Sequence, residues 1–154
     1  MYTPPQDDSS LSSLEAEKAL LGAILINPAL LKQVCDTIVS TDFYRDAHRI
    51  LYRVFLELDE ADIPIDLIAI KAQLKQQDEL DRVGGPAYIT SLADGMPAKA
   101  NVRYYAEVVR EMSQRRSAVA TGQKLIVDVH QGNEPVVEIA VKASDALARL
   151  ASIQ

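Results

Sequence analysis

Residues 101–150, NVRYYAEVVREMSQRRSAVATGQKLIVDVHQGNEPVVEIAVKASDALARL, decide the fold of this chain. Their first part runs for about 30 residues without proline and with a single glycine, which predicts an unusually long helix. Gly132 and Asn133 end that pattern, and Pro135 suits the start of a second helix. Two long helices joined by so short a turn predict an antiparallel helical hairpin.

Apolar residues in both predicted helices recur at the spacing of a coiled-coil seam, and small side chains occupy part of the second seam. A hairpin of two helices cannot easily bury both of its faces by itself, so the seam predicts pairing with another chain, most simply another copy. Tyr105 belongs to this seam, so core packing is the first interpretation for it. The predicted self-association residues are Val102, Tyr105, Val109, Met112, Val136, Ala140, Ala143, Leu147 and Leu150.

The rest of the sequence also has helical periodicity and no extended β-alternation, so we expect an all-α protein. Residues 1–11 contain Pro4-Pro5 and a polar stretch, which predicts a flexible tail. Residues 12–98 predict a compact helical head of several short helices. Residues 99–154 form the predicted hairpin.

Helix starts in the head are marked by residues that favour N-capping. Ser12 with Glu15 fits a capping box, and Asp42 and Asp66 each precede an apolar helical pattern. Gly84-Gly85 predicts a turn that breaks the chain before a further short helix. The head is therefore expected to contain helices that begin close to these residues.

The composition favours a protein-binding domain over a nucleic-acid-binding one. The formal net charge is −6, and a chain of that charge would be repelled by a polyphosphate, so no direct DNA binding is expected. The single cysteine, Cys35, excludes an internal disulfide and is expected to be a small buried hydrophobe. No apolar stretch is long enough for a membrane helix, and the N-terminus lacks a signal-peptide pattern, so a cytoplasmic protein is expected.

No constellation in the sequence indicates chemistry. The phosphate-loop pattern G-x-x-x-x-G-K-[ST] is missing, and His48 and His130 lie too far apart in sequence to form a helical ligand pair. His48 lies at the edge of an apolar stripe, where it is expected to be either a boundary residue or one that makes interhelical hydrogen bonds. We therefore predict no catalytic, cofactor-binding or metal-binding residue in this chain.

Four residues are candidates for contacts with a partner protein: Tyr88, Tyr104, Arg115 and Arg116. Tyr88 suits either a partner contact or ordinary packing, because tyrosine is both apolar and polar. Tyr104 would project away from the seam toward a neighbouring element or subunit. Arg115 and Arg116 either pair with glutamates on the same helix or dock an acidic partner.

A series of short motifs resembles the N-terminal domain of bacterial DnaB-type replicative DNA helicases. Each motif is weakly specific alone, but their order and spacing hold from about residue 14 to about residue 110. The stretch Asp7 to Leu11 departs from the family pattern. The matching residues are Pro4-Pro5, Leu14-Glu15-Ala16-Glu17, Leu21-Gly22-Ala23-Ile24, Asp42-Phe43-Tyr44-Arg45, His48, Pro64-Ile65-Asp66-Leu67, Val83-Gly84-Gly85, Tyr88-Ile89, Asn101 and Tyr104-Tyr105-Ala106.

The resemblance implies a helical head with a long hairpin whose function is assembly and primase docking. In the family it resembles, hairpins pair between subunits, and three pairs form a collar on the helicase hexamer. The collar docks the helicase-binding domain of primase and, in some systems, a loader. The ATP- and Mg²⁺-dependent motor would follow a linker after this domain, so this chain is expected not to be an enzyme. The alternatives are a free-standing adaptor or inhibitor of the same fold, and an enzyme with an unrecognised site.

Overall fold

The computed structural model describes residues 12–94, Met96 and residues 100–152, and the predicted tail at residues 1–11 lies outside them. Throughout the described part the secondary structure is helical, which confirms the predicted all-α class. Single 3₁₀ turns, Pro28–Leu30 and Ser40–Asp42, precede the second and third helices. The α-helices are α1 (Leu14–Ile26), α2 (Leu31–Val34), α3 (Asp46–Glu60), α4 (Leu67–Gln76), α5 (Gly85–Ala93), α6 (Val102–Gln131) and α7 (Val136–Ser152).

Helix α3 supplies the centre of the head core. Its apolar residues recur every three or four positions, so one side of the helix is buried and the other carries charges. Phe43, just before this helix, packs on Tyr52 with the ring centroids 5.0 Å apart, and both side chains are fully buried. Burying an apolar side chain of this size stabilises the fold by roughly 1.5–3 kcal/mol, so these contacts help to fix α3 in the head.

Helix α1 packs against α3, α5 and α6, and a glycine sets its distance from α5. A Cβ atom built on Gly22 would lie 2.0 Å from the carbonyl oxygen of Leu92. Real carbon and oxygen atoms do not approach so closely, so the two helices can pack at this distance only because position 22 lacks a side chain.

Two of the predicted helix starts require correction. The hydroxyl of Ser13, one residue after Ser12, accepts the N–H of Ala16 and caps α1. Asp42 ends a 3₁₀ turn in which its carboxylate accepts the N–H of Val39, and α3 begins four residues later at Asp46. The Asp66 prediction is confirmed, since its carboxylate accepts the N–H of Ala69 at the start of α4.

Helix α6 belongs to the head at one end and to the hairpin at the other. The amide oxygen of Asn101 caps it by accepting the N–H of Tyr104 at 3.2 Å. Val102, Ala106 and Val109 are buried in the head core. The predicted boundary at residue 99 therefore does not coincide with the end of the core, which includes the first turns of α6.

Helix α7 packs mainly against α6, and the turn between them is the predicted one. Gly132 ends α6 with φ 68°, a left-handed conformation that favours glycine. Ile139 is buried, and the side chain of Gln114 on α6 donates to the carbonyl of Leu150 at 3.4 Å. The sequence therefore predicted the antiparallel hairpin correctly.

Helix α7 has two apolar sides, one packed against α6 and one exposed. Its more buried positions are Ile139, Ala143, Ala146 and Leu150. Of the predicted seam, Ala143 and Leu150 lie on this inner side, whereas Val136, Ala140 and Leu147 are exposed. Apolar residues cover more than half of the circumference of α7, so two helical registers satisfy the same spacing of four and three.

Candidate interaction surfaces

A polar network buried inside the head joins α1, α3 and α5. Among the described residues, Glu17 and His48 are the buried polar or charged side chains, at 1% and 0% exposure. The Nδ1 atom of His48 lies 2.7 Å from Oε1 of Glu17, and its Nε2 atom lies 2.6 Å from the hydroxyl of Tyr88. An ionised carboxylate can only accept hydrogen bonds, so the proton of the imidazole lies on Nδ1, which donates to Glu17. In this neutral ring Nε2 accepts a hydrogen bond from the hydroxyl of Tyr88.

Glu17 also fixes the segment that enters α3. Its carboxylate accepts the backbone N–H of Tyr44 at 2.8 Å and that of Arg45 at 3.4 Å. Arg45 is the N-cap of α3 but makes no capping hydrogen bond with its own side chain. A carboxylate from α1 therefore satisfies donors at the entry to α3, which ties the two helices together.

Tyr88 links this network to the protein surface. Its side chain is partly exposed, and the guanidinium carbon of Arg45 lies 5.0 Å from the centroid of its ring. Nη1 of Arg45 also donates to the hydroxyl at 3.3 Å. Burial raises the pKa of Tyr88, and this effect with the nearby Glu17 charge outweighs the lowering by Arg45. Tyr88 is thus a protonated phenol whose hydroxyl is held from inside while part of its ring faces outward.

Part of this network could be predicted from the sequence. Of the two roles predicted for His48, the interhelical one is confirmed and the boundary one is wrong, since the side chain is fully buried. The roles of Glu17 and Arg45 were missed. The available signal was the position of Glu17 in α1, three residues after Leu14 and four before Leu21, because that places a carboxylate within an apolar stripe. A charged residue in such a stripe indicates a buried partner.

The hairpin carries a large amount of exposed apolar surface. We call the following side chains the hairpin surface, each with at least 36% of its area exposed: Leu125, Ile126, Val127, Val129, Val136, Val137, Val141 and Leu147. A groove of about 340 Å³ lies between α6 and α7, and its apolar lining includes Leu125, Ile139, Ala143 and Ala146. This part of the chain leaves apolar side chains uncovered on both helices.

The predicted self-association residues of α6 lie in a different environment. Val102 and Val109 are buried in the core of their own chain, and Tyr105 packs against that core, as its first interpretation proposed. Met112 is partly buried. Val102 and Val109 therefore have almost no surface to offer another chain, so the surface available for pairing lies further along the hairpin.

The predicted partner-binding residues have different surroundings. Tyr104 is 57% exposed on α6. Arg115 pairs with Glu111 on the same helix at 2.9 Å, as one of the two interpretations proposed. Arg116 instead reaches the head, where it lies 5.4 Å from the ring centroid of Tyr44 and donates to the carbonyl of Asp42.

Cys35 is only partly buried, in contrast to the buried position expected for it, and its Sγ lies 3.8 Å from the carbonyl oxygen of Lys32.

Over residues 12–94, Met96 and 100–152, no group of three or more histidine, cysteine, aspartate or glutamate side chains is placed to hold a metal ion. Across the same residues, none of the helices has the length and apolar character needed to cross a membrane.

Sequence comparison connects this fold with known proteins. Residues 9–111 match the profile of the DnaB-like helicase N terminal domain. The replicative DNA helicase DnaB of Geobacillus stearothermophilus is 34% identical over 142 residues, which is 92% of this chain and 30% of the helicase. The replicative DNA helicase DnaC of Bacillus subtilis (strain 168) is 32% identical over 148 residues, which is 96% of this chain and 31% of the helicase.

Solved structures show the same relationship. The N-terminal domain of the DnaB helicase from Mycobacterium tuberculosis superposes with a TM-score of 0.84 and 29% identity, covering 90% of this chain and 97% of that domain. A DnaB-like replicative helicase, solved to show its interactions with primase, superposes with a TM-score of 0.75 and 26% identity over 88% of this chain and 31% of that one.

The matched region has a defined place in the relatives. The chain spans about 30% of the length of the two helicases, and a separately solved N-terminal domain covers nearly the same extent as this chain. The profile match takes in two thirds of the sequence, including α1 to α5 and the start of α6. The chain therefore belongs to the DnaB-like helicase N-terminal domain family.

Proposed function

We propose that this chain is the assembly and primase-docking domain of a hexameric replicative DNA helicase. The observation that carries the proposal is the hairpin surface, which one copy of the chain leaves uncovered. Soluble monomers rarely expose contiguous apolar patches of more than a few hundred Å², so exposed apolar residues along two helices favour pairing. Family membership supports the same function.

Pairing would bring the hairpin surfaces of two copies together. Covering an exposed valine or leucine contributes up to roughly 1.5–3 kcal/mol when the side chain becomes fully buried, and several such residues are present. We propose that hairpin pairs are the dimeric unit, that three pairs form the collar of a hexamer, and that assembly needs neither ATP nor Mg²⁺. ATP and Mg²⁺ would act in a motor domain of the full-length protein, in the cytoplasm.

Sedimentation of the chain over a range of concentrations tests the assembly proposal. The double variant Val141→Glu with Leu147→Glu places charges on the hairpin surface, so it should sediment as a monomer where the wild-type chain sediments as a dimer or larger. Ile26→Glu is the matched control, because Ile26 is 49% exposed at the end of α1 and should leave assembly unchanged. A wild-type chain that remains monomeric at high concentration would contradict hairpin pairing.

Primase docking is proposed for the head, where Tyr88 presents a ring of fixed orientation. The DnaB-like replicative helicase whose structure describes interactions with primase superposes on this chain. A loader is a further proposed partner in systems that use one.

A pull-down with the C-terminal domain of the cognate primase, repeated with Tyr88→Ala and Tyr88→Phe, tests this contact. Loss of binding by the alanine variant with a retained helical fold supports the contact, and the phenylalanine variant should bind because it keeps the ring. Unchanged binding by Tyr88→Ala would remove Tyr88 from the site.

A further inference from the structure

We propose that the turn between α3 and α4 is a second docking surface, which binds a basic segment with apolar anchors from another protein. We call Ile63, Leu67 and Ile68 the turn patch. It lies outside the hairpin surface, and Tyr88 is not part of it. The proposal is independent of hairpin pairing and of primase docking at Tyr88.

The side chains of the turn patch are large, aliphatic and exposed to solvent. Ile68 is 79% exposed, the highest value among the large hydrophobic residues of the described part, and Ile63 and Leu67 are 45% and 38% exposed. The neighbouring Ile65 is 6% exposed and anchors the turn to the core. The turn therefore already has a buried anchor, and the three exposed side chains are available to a partner.

The backbone of this turn is held in one conformation. The N–H of Asp62 donates to the carbonyl of Asp59 at 3.1 Å, and that of Ile63 donates to the carbonyl of Leu58 at 2.9 Å. Asp62 has φ 57°, the left-handed conformation that ends a helix, and Pro64 limits the next part of the turn. Asp66 then caps α4. A surface fixed in this way loses little conformational entropy when a partner binds.

The charge around the turn patch indicates the chemistry of the partner. Between Arg53 and Lys71 the sequence has five acidic residues and no lysine, arginine or histidine. Of these, Asp59, Glu60 and Asp62 are exposed, and none of the three takes part in an ion pair within the described residues. Electrostatic complementarity therefore favours a partner with lysine or arginine beside its apolar anchors.

The same charges argue against other occupants. A symmetric contact between two copies would place the acidic residues of one patch opposite those of the other. An anionic lipid surface would be repelled for the same reason. A basic amphipathic helix from a different protein satisfies both the apolar side chains and the acidic rim, since its leucine and lysine side chains lie on adjoining faces.

Titration of the ¹⁵N-labelled chain with a synthetic amphipathic peptide tests the proposal. The peptide carries leucines on one helical face and lysines beside them, and a second peptide has glutamates in place of the lysines. Amide shifts should concentrate between residues 58 and 72 with the lysine peptide, weaken with added salt, and be absent with the glutamate peptide. Shifts centred elsewhere, or equal binding of both peptides, would overturn the proposal.

Two variants separate the apolar and charged contributions. Ile68→Ser should weaken binding of the lysine peptide about tenfold, since it removes the most exposed apolar side chain of the turn patch. Val39→Ser is the matched control because Val39 is 56% exposed at another turn and should bind as the wild type does. The double variant Asp59→Lys with Glu60→Lys should abolish the salt dependence of lysine-peptide binding, because it removes acidic residues but keeps the apolar side chains of the turn patch.

An unchanged affinity in Ile68→Ser would rule out the turn patch as the docking surface. Amide shifts at the turn patch that depend on protein concentration without peptide would show that a second copy occupies it, which would also contradict the proposed partner. Sedimentation of the same variants should match the wild type, so a failure here is distinguishable from a failure of hairpin pairing.

Discussion

Glu17 and His48 show how a single buried polar pair can organise a small helical head. The pair lies among apolar side chains, so each group depends on the other to replace the hydration it has lost. Glu17 also accepts two backbone N–H groups at the entry to α3. Removing one partner would leave the other polar group buried with one hydrogen bond fewer.

We expect His48→Ala to lower the free energy of unfolding by about 3 kcal/mol, because it leaves a buried carboxylate with backbone donors alone. Urea unfolding followed by circular dichroism measures this loss. Arg115→Ala serves as the control, since it removes an exposed ion pair that contributes at most about 0.5 kcal/mol. Equal losses in the two variants would show that the buried network adds little to stability.

Two glycines in helices should respond in opposite ways to the same substitution. Gly22→Ala should destabilise the head by about 2 kcal/mol or more, because the new Cβ would meet the backbone of Leu92 and push α1 and α5 apart. Gly122→Ala should stabilise α6 by up to about 1 kcal/mol, since a Cβ there meets nothing within 4 Å and alanine favours helix. Thermal unfolding of both variants distinguishes the outcomes, and a similar shift in the same direction would contradict the helix-contact argument.

At the scale of elements, Glu57 joins α3 to α4 and makes that contact sensitive to pH. Its carboxylate accepts the side-chain amides of Gln73 at 2.9 Å and Gln77 at 2.8 Å. Burial alone would raise the pKa of Glu57, but these hydrogen bonds and the charge of Arg53 lower it below the ordinary value of 4.5. The contribution is therefore present above pH 4.5 and is lost as the pH falls through the lowered pKa of the folded state.

We expect the wild-type chain to lose more stability than Glu57→Gln when the pH is lowered from neutral to about 3. The difference should be well under about 1 kcal/mol, because solvent screens a carboxylate that is one third exposed. Unfolding free energies in urea at the two pH values give this difference. Glu60→Gln is the exposed control, and an identical acid response in both variants would contradict a specific role for Glu57.

The sequence predicts the elements of this fold better than their contacts, for a physical reason. Glycine, proline and capping residues act locally, so the hairpin turn at Gly132 and the cap at Asp66 could be predicted. The register of α7 depends on which of two apolar sides meets α6, and spacing does not distinguish them. The Glu17 contact joins residues 31 positions apart, so it depends on tertiary packing that only the structure reveals.

At the scale of the whole molecule, the two ends of the chain are stabilised differently. The head has a core to which α1 to α5 and the start of α6 contribute. Among the side chains of α7 that the structure describes, Ile139 is the buried one, and the helix packs mainly against α6. A helix covered on one side gains little from tertiary packing, so its stability should depend on what covers its other side.

Hydrogen exchange at different protein concentrations should therefore separate the head from the hairpin. Amides of α7 should exchange faster as the sample is diluted below the dimer dissociation constant, because pairing stabilises the folded hairpin by mass action. Amides of α3 should not change, since the core of one chain protects them. In the Val141→Glu, Leu147→Glu variant α7 should exchange rapidly at every concentration. Slow exchange of α7 in that variant would mean that α6 alone stabilises the helix, and the exposed valines and leucines of the hairpin would then need a different explanation.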